Sequence, residues 1–197
     1  MLISKSDNSL NNNFFGEIVK YISEFLKVFI IAAAIILPVR LFLIQPFYVR
    51  GESMLPNFHE NEYLIIDKLT PRLQPYKRGE VIVFRFPSTD RRYLIKRLIG
   101  LPGERVRIKN SVITVTNADH PNGLILGEDL YHPYDLGDEE DDKLLGVDEY
   151  YVLGDNRPVS FDSEKFGPVK AHQIVGRVVF RGLPLDKMTF FKAPQYK

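Results

Sequence analysis

Tyr93-Leu94-Ile95-Lys96-Arg97-Leu98-Ile99-Gly100 reads as a β-strand with a lysine set into its apolar side. Along an extended backbone Leu94, Lys96 and Leu98 share one side, and Tyr93, Ile95 and Arg97 share the other. The first side is apolar apart from the lysine. Burial there disfavours the ammonium form and lowers the pKa. A neutral amine near pH 7 is a competent general base for a serine hydroxyl. Taken alone, the segment fits better a lysine snorkelling from an edge strand, its stem on apolar surface and its charge in water. What decides between the two is what the rest of the chain brings to that amine.

The same short-run pattern continues on both sides. Residues 63–68, 81–86, 106–108, 112–115, 150–153 and 174–180 are rich in branched and aromatic residues and are separated by turn residues. Residues 46–49 also read as strand. No helical periodicity of useful length follows residue 50. Residues 46–197 are therefore expected to form one mostly β domain, antiparallel and coiled, with long connections. Residues 117–148 have the least ordered composition. Within them Asp135, Asp138, Glu139, Glu140, Asp141 and Asp142 form an acidic cluster without apolar partners. A solvated surface loop is the expected structure. The spaced Asp/Asn-Gly pattern of a calcium loop is missing.

Before residue 46 the chain has another character. Residues 1–13 are polar and Asn-rich, and are expected as a disordered tail. A helical pattern starts at Phe14, with Glu17, Lys20, Glu24 and Lys27 at helical spacing. Residues 28–39 carry no charge, and Leu41-Phe42-Leu43-Ile44 resume the apolar run after Arg40. Residues 14–45 are read as an amphipathic and transmembrane helix. The uncharged run falls short of the ~20 residues that a span needs. Lys27 and Arg40 snorkelling to opposite interfaces would lengthen it, giving one span over residues 21–44. A buried core helix and an interfacial helix are the competing readings. A cleaved leader is disfavoured, because no small-residue cleavage site follows. The basic residues Lys5, Lys20 and Lys27 are offset by Asp7, Glu17 and Glu24, so charge encodes orientation weakly.

Composition narrows the chemistry. The 197 residues suit one domain plus an appendage, and the formal net charge of +1 gives no electrostatic case for nucleic acid. Cysteine is absent, which removes thiol catalysis, disulfides and cysteine-based zinc sites. No metal or other cofactor is implied. Oligomeric state is not encoded. Four histidines, His59, His120, His132 and His172, lack an obvious orienting acid and read as surface residues.

Two further segments could meet the lysine. Gly51-Glu52-Ser53-Met54-Leu55-Pro56 has a glycine and a proline bracketing a serine, a bend between strands. Such a bend can present the hydroxyl together with its own amide N–H, a donor for a developing oxyanion. Residues 154–167 hold Gly154, Asp155, Asn156, Arg157, Ser160, Asp162, Ser163 and Gly167 directly after an apolar strand.

With Gln45-Pro46-Phe47-Tyr48-Val49 ahead of the serine bend and Arg78-Gly79-Glu80-Val81-Ile82-Val83-Phe84-Arg85 between serine and lysine, these boxes stand in one order. In that order they resemble the bacterial type I signal peptidases, the membrane-bound Ser/Lys leader peptidases of family S26. The match runs from about Phe42 to Pro184. The resemblance implies a signal-peptidase/LexA-like β fold with one N-terminal transmembrane helix. It implies an endopeptidase that removes N-terminal signal peptides from translocated preproteins through an acyl-enzyme. It places the enzyme in the cell membrane, single-pass, with its catalytic domain on the extracytoplasmic side, and makes preproteins and membrane lipid its partners.

The same resemblance implies roles for particular residues. Ser53 would be the nucleophile and Lys96 the general base. Ser160 would hold the lysine amine by a hydrogen bond, and Gly154 would leave room beside it. Asp155 would pair with Arg97. The oxyanion donor would be the Ser53 amide, since Gly51 stands where some members have an assisting serine. Phe47, Val49, Leu94 and Ile95 would wall two shallow pockets for small residues at −1 and −3. Asn57 stands where the family often has threonine. Glu164 replaces a usual arginine, so Asp162 would need another cation, with Lys165 and Arg157 as candidates. The carboxyl-terminal stretch 182–191 is apolar, and would either cap the core or rest on a bilayer. Two rivals share the pattern in part: a non-catalytic membrane-tethered β scaffold, and another Ser/Lys protease of the LexA-like fold.

Overall fold

A computed structural model describes residues 7–38, 44–86, 92–127 and 140–194. The chain divides into two units, residues 1–43 and 44–197.

The first unit contains helix α1, Asp7–Pro38. It begins well before the expected Phe14, so residues 7–13 are helix and not tail. Asp7, Asn8 and Ser9 explain this, being residue types that start helices. Along α1, Phe25, Ile31 and Ile35 are exposed, and so are Lys20, Glu24 and Lys27. No helix among the described residues is long and apolar enough to cross a membrane. The reason lies in the charges: the run free of them from Val28 to Pro38 is about 16 Å long at the α-helical rise, roughly half of a hydrocarbon core. Residues 39–43, which would complete the expected span, lie outside the described residues.

The second unit is antiparallel β, as its period-2 runs demand. Its larger sheet has eight strands: β1 (Ile44–Tyr48), β2 (Tyr63–Asp67), β11 (Ile174–Leu183), β3 (Val81–Arg85), β4 (Tyr93–Gly100), β9 (Glu149–Leu153) and β10 (Val169–Lys170) in spatial order, with β12 (Thr189–Phe190) on β11. The smaller sheet runs β7 (Leu124–Leu126), β6 (Val112–Thr116), β5 (Arg105–Lys109) and β8 (Asp141–Leu144). Its core is Ile99, Val106, Ile108, Val115, Leu126, Leu145, Tyr151 and Leu153. The chain passes from one sheet to the other at Gly100. A side chain there would begin 2.4 Å from Val106 Cγ2 and 2.7 Å from Leu145 Cδ1, so only glycine fits.

The larger sheet has an apolar cluster on each face. Val81, Val83 and Ile95 join Val49, Met54, Phe58 and Leu64 on one. Ile82, Phe84, Leu94 and Leu98 join Tyr150, Val152 and Val169 on the other. Phe84 and Leu98 are wholly buried. Truncating either would cost about 3–5 kcal/mol in lost transfer energy and residual cavity.

The expected acidic loop needs correction. Asp141 and Asp142 lie in β8 and pair with β5. β5 alternates Arg105, Val106, Arg107, Ile108, Lys109, which places three cations on one side. Asp142 bridges Arg105 and Arg107 at 2.7 and 2.9 Å, and Glu140 reaches Lys109 at 2.7 Å. Residues 128–139, with Asp135, Asp138 and Glu139, lie outside the described residues. The carboxyl-terminal stretch caps the core in part. Phe191 packs on Phe58 at 4.7 Å between ring centroids, while Leu185, Met188 and Phe190 are exposed.

Candidate active site

Ser53 stands on the bend between β1 and β2. Backbone bonds hold the bend: Leu55 N–H donates to Glu52 O at 3.1 Å, and Phe58 N–H to Met54 O at 2.9 Å. Met54 and Phe58 are buried in the cluster below it. The bend is therefore anchored by buried apolar side chains, Val49 before it and Met54 and Phe58 after it. Gly51 adopts φ of +87°, a left-handed conformation open to glycine and costly for other residues.

Lys96 comes from the middle of β4 and is 2% exposed. Its Nζ lies 2.5 Å from Ser53 Oγ. Loss of hydration pulls its pKa down to about 8, against the opposing pull of the Asp162 and Asp155 carboxylates. The snorkelling alternative is thus not what the fold adopts: the amine is buried against Ser53, on a strand paired with β3 over Tyr93–Arg97 and with β9 from Arg97 onward.

The segment after β9 closes over the pair. Asn156 N–H donates to Ser53 O at 3.0 Å, and its side-chain amide donates to Glu52 O at 3.1 Å. Asp155 is fully buried and takes a two-pronged bond from Arg97, Nε at 2.8 Å and Nη2 at 2.6 Å. Its second oxygen also accepts from Asn57 Nδ2 at 2.9 Å. Removing either partner of the Arg97–Asp155 pair would strand a buried charge, at a cost of about 3–5 kcal/mol. Arg97 Nη1 also donates to Gly79 O at 2.9 Å, so the pair ties three segments together.

Two expected contacts differ. Ser160 is buried, yet its Oγ has no hydrogen-bond partner among the described residues, so it does not hold the lysine amine. The amine is directed at Ser53 instead. Asp162 is not paired with Lys165, whose Nζ donates to Ser160 O at 2.7 Å. Asp162 accepts from Gly154 N at 2.9 Å and caps the short helix α2 (Ser163–Phe166). Its nearness to Lys96 is electrostatic, as the upward pull on that amine records. Gly154 leaves room, though for other atoms than the amine: a Cβ there would lie 2.2 Å from Ser160 Oγ and 2.6 Å from Ser53 O.

The four expected pocket residues are divided between two faces. Phe47, Val49 and Ile95 belong to one cluster, and Leu94 to the opposite one. The cavity at the pair is about 330 Å³ and is lined by Gly51, Glu52, Ser53, Leu94, Lys96, Val159 and Phe161. Glu52, Val159 and Phe161 were not expected there. Nor were Asn156 and Asn57 as anchors, although the hydrogen-bonding capacity of Asn57 is visible in the sequence. A larger cavity of about 730 Å³ lies away from the pair. Its arginines Arg78, Arg97 and Arg177 are matched to Glu104, Asp155 and Glu80.

The histidines take no part. His59 faces Glu62 at 3.6 Å and is half exposed, His120 and His172 are exposed, and His132 lies outside the described residues. No group of three or more metal-ligating residues occurs among the described residues.

Comparison with known proteins is concordant. The family model for signal peptidase, peptidase S26, matches residues 22–183. Signal peptidase I of Bacillus caldolyticus is 34% identical over 173 residues, covering 81% of this chain and 91% of that protein. Signal peptidase I P of Bacillus subtilis subsp. natto is 35% identical over 176 residues, covering 87% and 94%. A crystal structure of a signal peptidase I from Enterococcus faecalis V583 is 30% identical, with a TM-score of 0.43, covering 53% of this chain and 97% of that one. On the extent of the family match, and on relatives of this identity over most of its length, the chain belongs to the peptidase S26 signal peptidase family.

Proposed function

We propose that this protein is a serine endopeptidase that removes signal peptides from preproteins, with Ser53 and Lys96 as a catalytic dyad. The observation that carries the reading is the 2.5 Å approach of a buried amine to the Ser53 hydroxyl. With its pKa near 8, about one amine in ten is neutral at pH 7.

The neutral amine of Lys96 takes the proton from Ser53 as Oγ attacks the carbonyl of the −1 residue. The Ser53 amide N–H faces the developing oxyanion. The ammonium then returns its proton to the leaving amine, which frees the mature protein. A water deprotonated by the same amine resolves the ester. Asp155 and Arg97 brace the lysine strand, and Gly154, Ser160 and Asp162 shape the floor beside it.

An extended substrate has a place to add. β9 pairs with β4 from Arg97 onward, so among the described residues Tyr93–Lys96 have no strand partner on that edge. Main-chain bonds to this edge would hold the peptide in line with Ser53. Phe47, Val49 and Ile95 wall the pockets for the −1 and −3 residues. The apolar sequence from Val28 onward serves as a single-pass anchor with the catalytic unit on the extracytoplasmic side. The exposed Phe25, Ile31 and Ile35 of α1 suit lipid contact.

The test is direct. Ser53→Ala and Lys96→Ala, purified in detergent, should each lower preprotein cleavage about a thousandfold or more while circular dichroism stays unchanged. For the wild-type chain kcat/KM should rise with pH through about 8. Substantial cleavage by either variant, or a flat profile from pH 5 to 9, overturns the dyad.

A further inference from the structure

A chain laid along the Tyr93–Lys96 edge, which has no strand partner among the described residues, sends successive side chains to opposite faces of the sheet. Residues at −1 and −3 share one face, and −2 takes the other. The two faces differ here. On one stand Phe47, Val49 and Ile95. On the other Leu94 packs against Phe84 and Leu98, and beside it Val159 and Phe161 line the cleft that holds Ser53 and Lys96. Val159 is 58% and Phe161 48% exposed. Large apolar side chains held open to solvent at a cleft mark a contact surface. Phe161 is held firmly nonetheless. Its ring centroid lies 5.6 Å from that of Phe86 and 5.3 Å from that of Phe166, and those two are 5.5 Å apart. Phe86 directly follows β3 and Phe166 ends α2, so the wall is fixed from two elements.

We propose that Phe161, with Val159 and Leu94 beside it, is a specificity-determining wall for the −2 side chain of the signal peptide and favours a large apolar residue there. This rests on the reading that the signal peptide adds to the edge of β4 before Ser53 attacks it. Small residues at −1 and −3 are then compatible with bulk at −2, because the two sets never meet the same surface. The wall is apolar and offers no donor of its own. Glu52, exposed in the same cleft, is the one carboxylate among its lining residues, so a cationic −2 residue is the informative competitor.

The experiment uses the full chain in detergent and a preprotein varied at −2 as Gly, Leu, Phe and Lys, with a control pair of Ala and Val at −1. The wild-type chain should prefer Leu or Phe over Gly at −2 by about tenfold in kcat/KM, the size of a partly filled apolar subsite. In Phe161→Ser that ratio should collapse toward one, with the change in KM. Phe161→Leu should keep most of it. The Ala over Val ratio at −1 should be the same in all three enzymes. A preference at −2 that survives Phe161→Ser, a wild-type preference for Lys, or an equal loss at −1 and −2 overturns the wall while leaving the dyad standing. Cleavage that persists in Ser53→Ala overturns the parent reading and this one together.

Discussion

The proton on Lys96 is pulled in two directions. Desolvation drives it off, while the carboxylates of Asp162 and Asp155 hold it on. Asp155 is committed to Arg97, so Asp162 is the carboxylate whose charge can be changed with less structural cost. Asp162→Asn keeps an oxygen for the Gly154 amide and removes the charge. The amine then loses a neighbour that favours its ammonium form, and its pKa falls below about 8. The rising limb of the kcat/KM profile should move to lower pH, with activity at pH 6.5 gaining relative to that at pH 9. An unmoved limb would remove Asp162 from the electrostatics of the site. Gly154→Ala probes shape alone. Its methyl would stand 2.2 Å from Ser160 Oγ and 2.6 Å from Ser53 O, and the second of these is backbone of the Ser53 bend. The expected result is a loss of cleavage of about a hundredfold or more through kcat, because a misplacement near 1 Å is costly at the reacting atoms. Pre-steady-state acylation of Ser53 checks it.

Elements differ in how far the sequence discloses them. β3 is legible because it carries an unbroken apolar run bounded by turn residues, the pattern of a strand covered on both faces, and β4 because apolar pairs flank Lys96-Arg97 on both sides. The strand of Lys96 and the bend of Ser53 are each legible, but their approach is a long-range contact that no local pattern encodes. Only the order of the four boxes, through resemblance, brings them together. The 3-10 turn Arg157–Val159 is illegible for another reason. Val159 and Phe161 look like ordinary apolar residues, and their exposure follows from where that turn leaves them after β9. β8 is illegible because its carboxylates mimic a solvated loop, while their partners sit on β5 more than thirty residues away. Those partners make a prediction. Hydrogen bonding from Arg105 and then Arg107 holds the Asp142 pKa down to about 2. A carboxylate depressed in the folded state stabilises fully above its unfolded pKa, and that stability fades as pH falls through about 2. The groups are partly exposed, so solvent screens most of the effect. Asp142→Ala should lower Tm by about two degrees at pH 7, less in high salt, and by much less at pH 2. Thermal unfolding at the two pH values measures this. An equal deficit at both would assign the loss to packing.

At the scale of the whole molecule, the groups placed at the reaction all lie within residues 44–197. The serine bend, the lysine strand and the closing segment are joined inside that unit by β4–β9 pairing, the Arg97–Asp155 pair and the Asn156 bonds to the Ser53 and Glu52 carbonyls. Three buried clusters support it, and none draws on α1. Anchoring and chemistry are therefore separable. A chain beginning at Ile44 should fold cooperatively in water and cleave a short soluble peptide with kcat within about threefold of the full chain. Its failure should be confined to preproteins in vesicles. There, on the proposed anchoring, the full chain should gain because anchor and cleavage site would share one surface, which raises their effective concentration. Restoring α1 should recover that gain through KM. Equal loss on the soluble peptide would mean that α1 takes part in the fold of the catalytic unit. Equal rates on vesicles would mean that the helix does not deliver the enzyme to its substrate. The two assays separate an anchor from a structural element, because only an anchor acts through local concentration and leaves the bond-breaking rate alone.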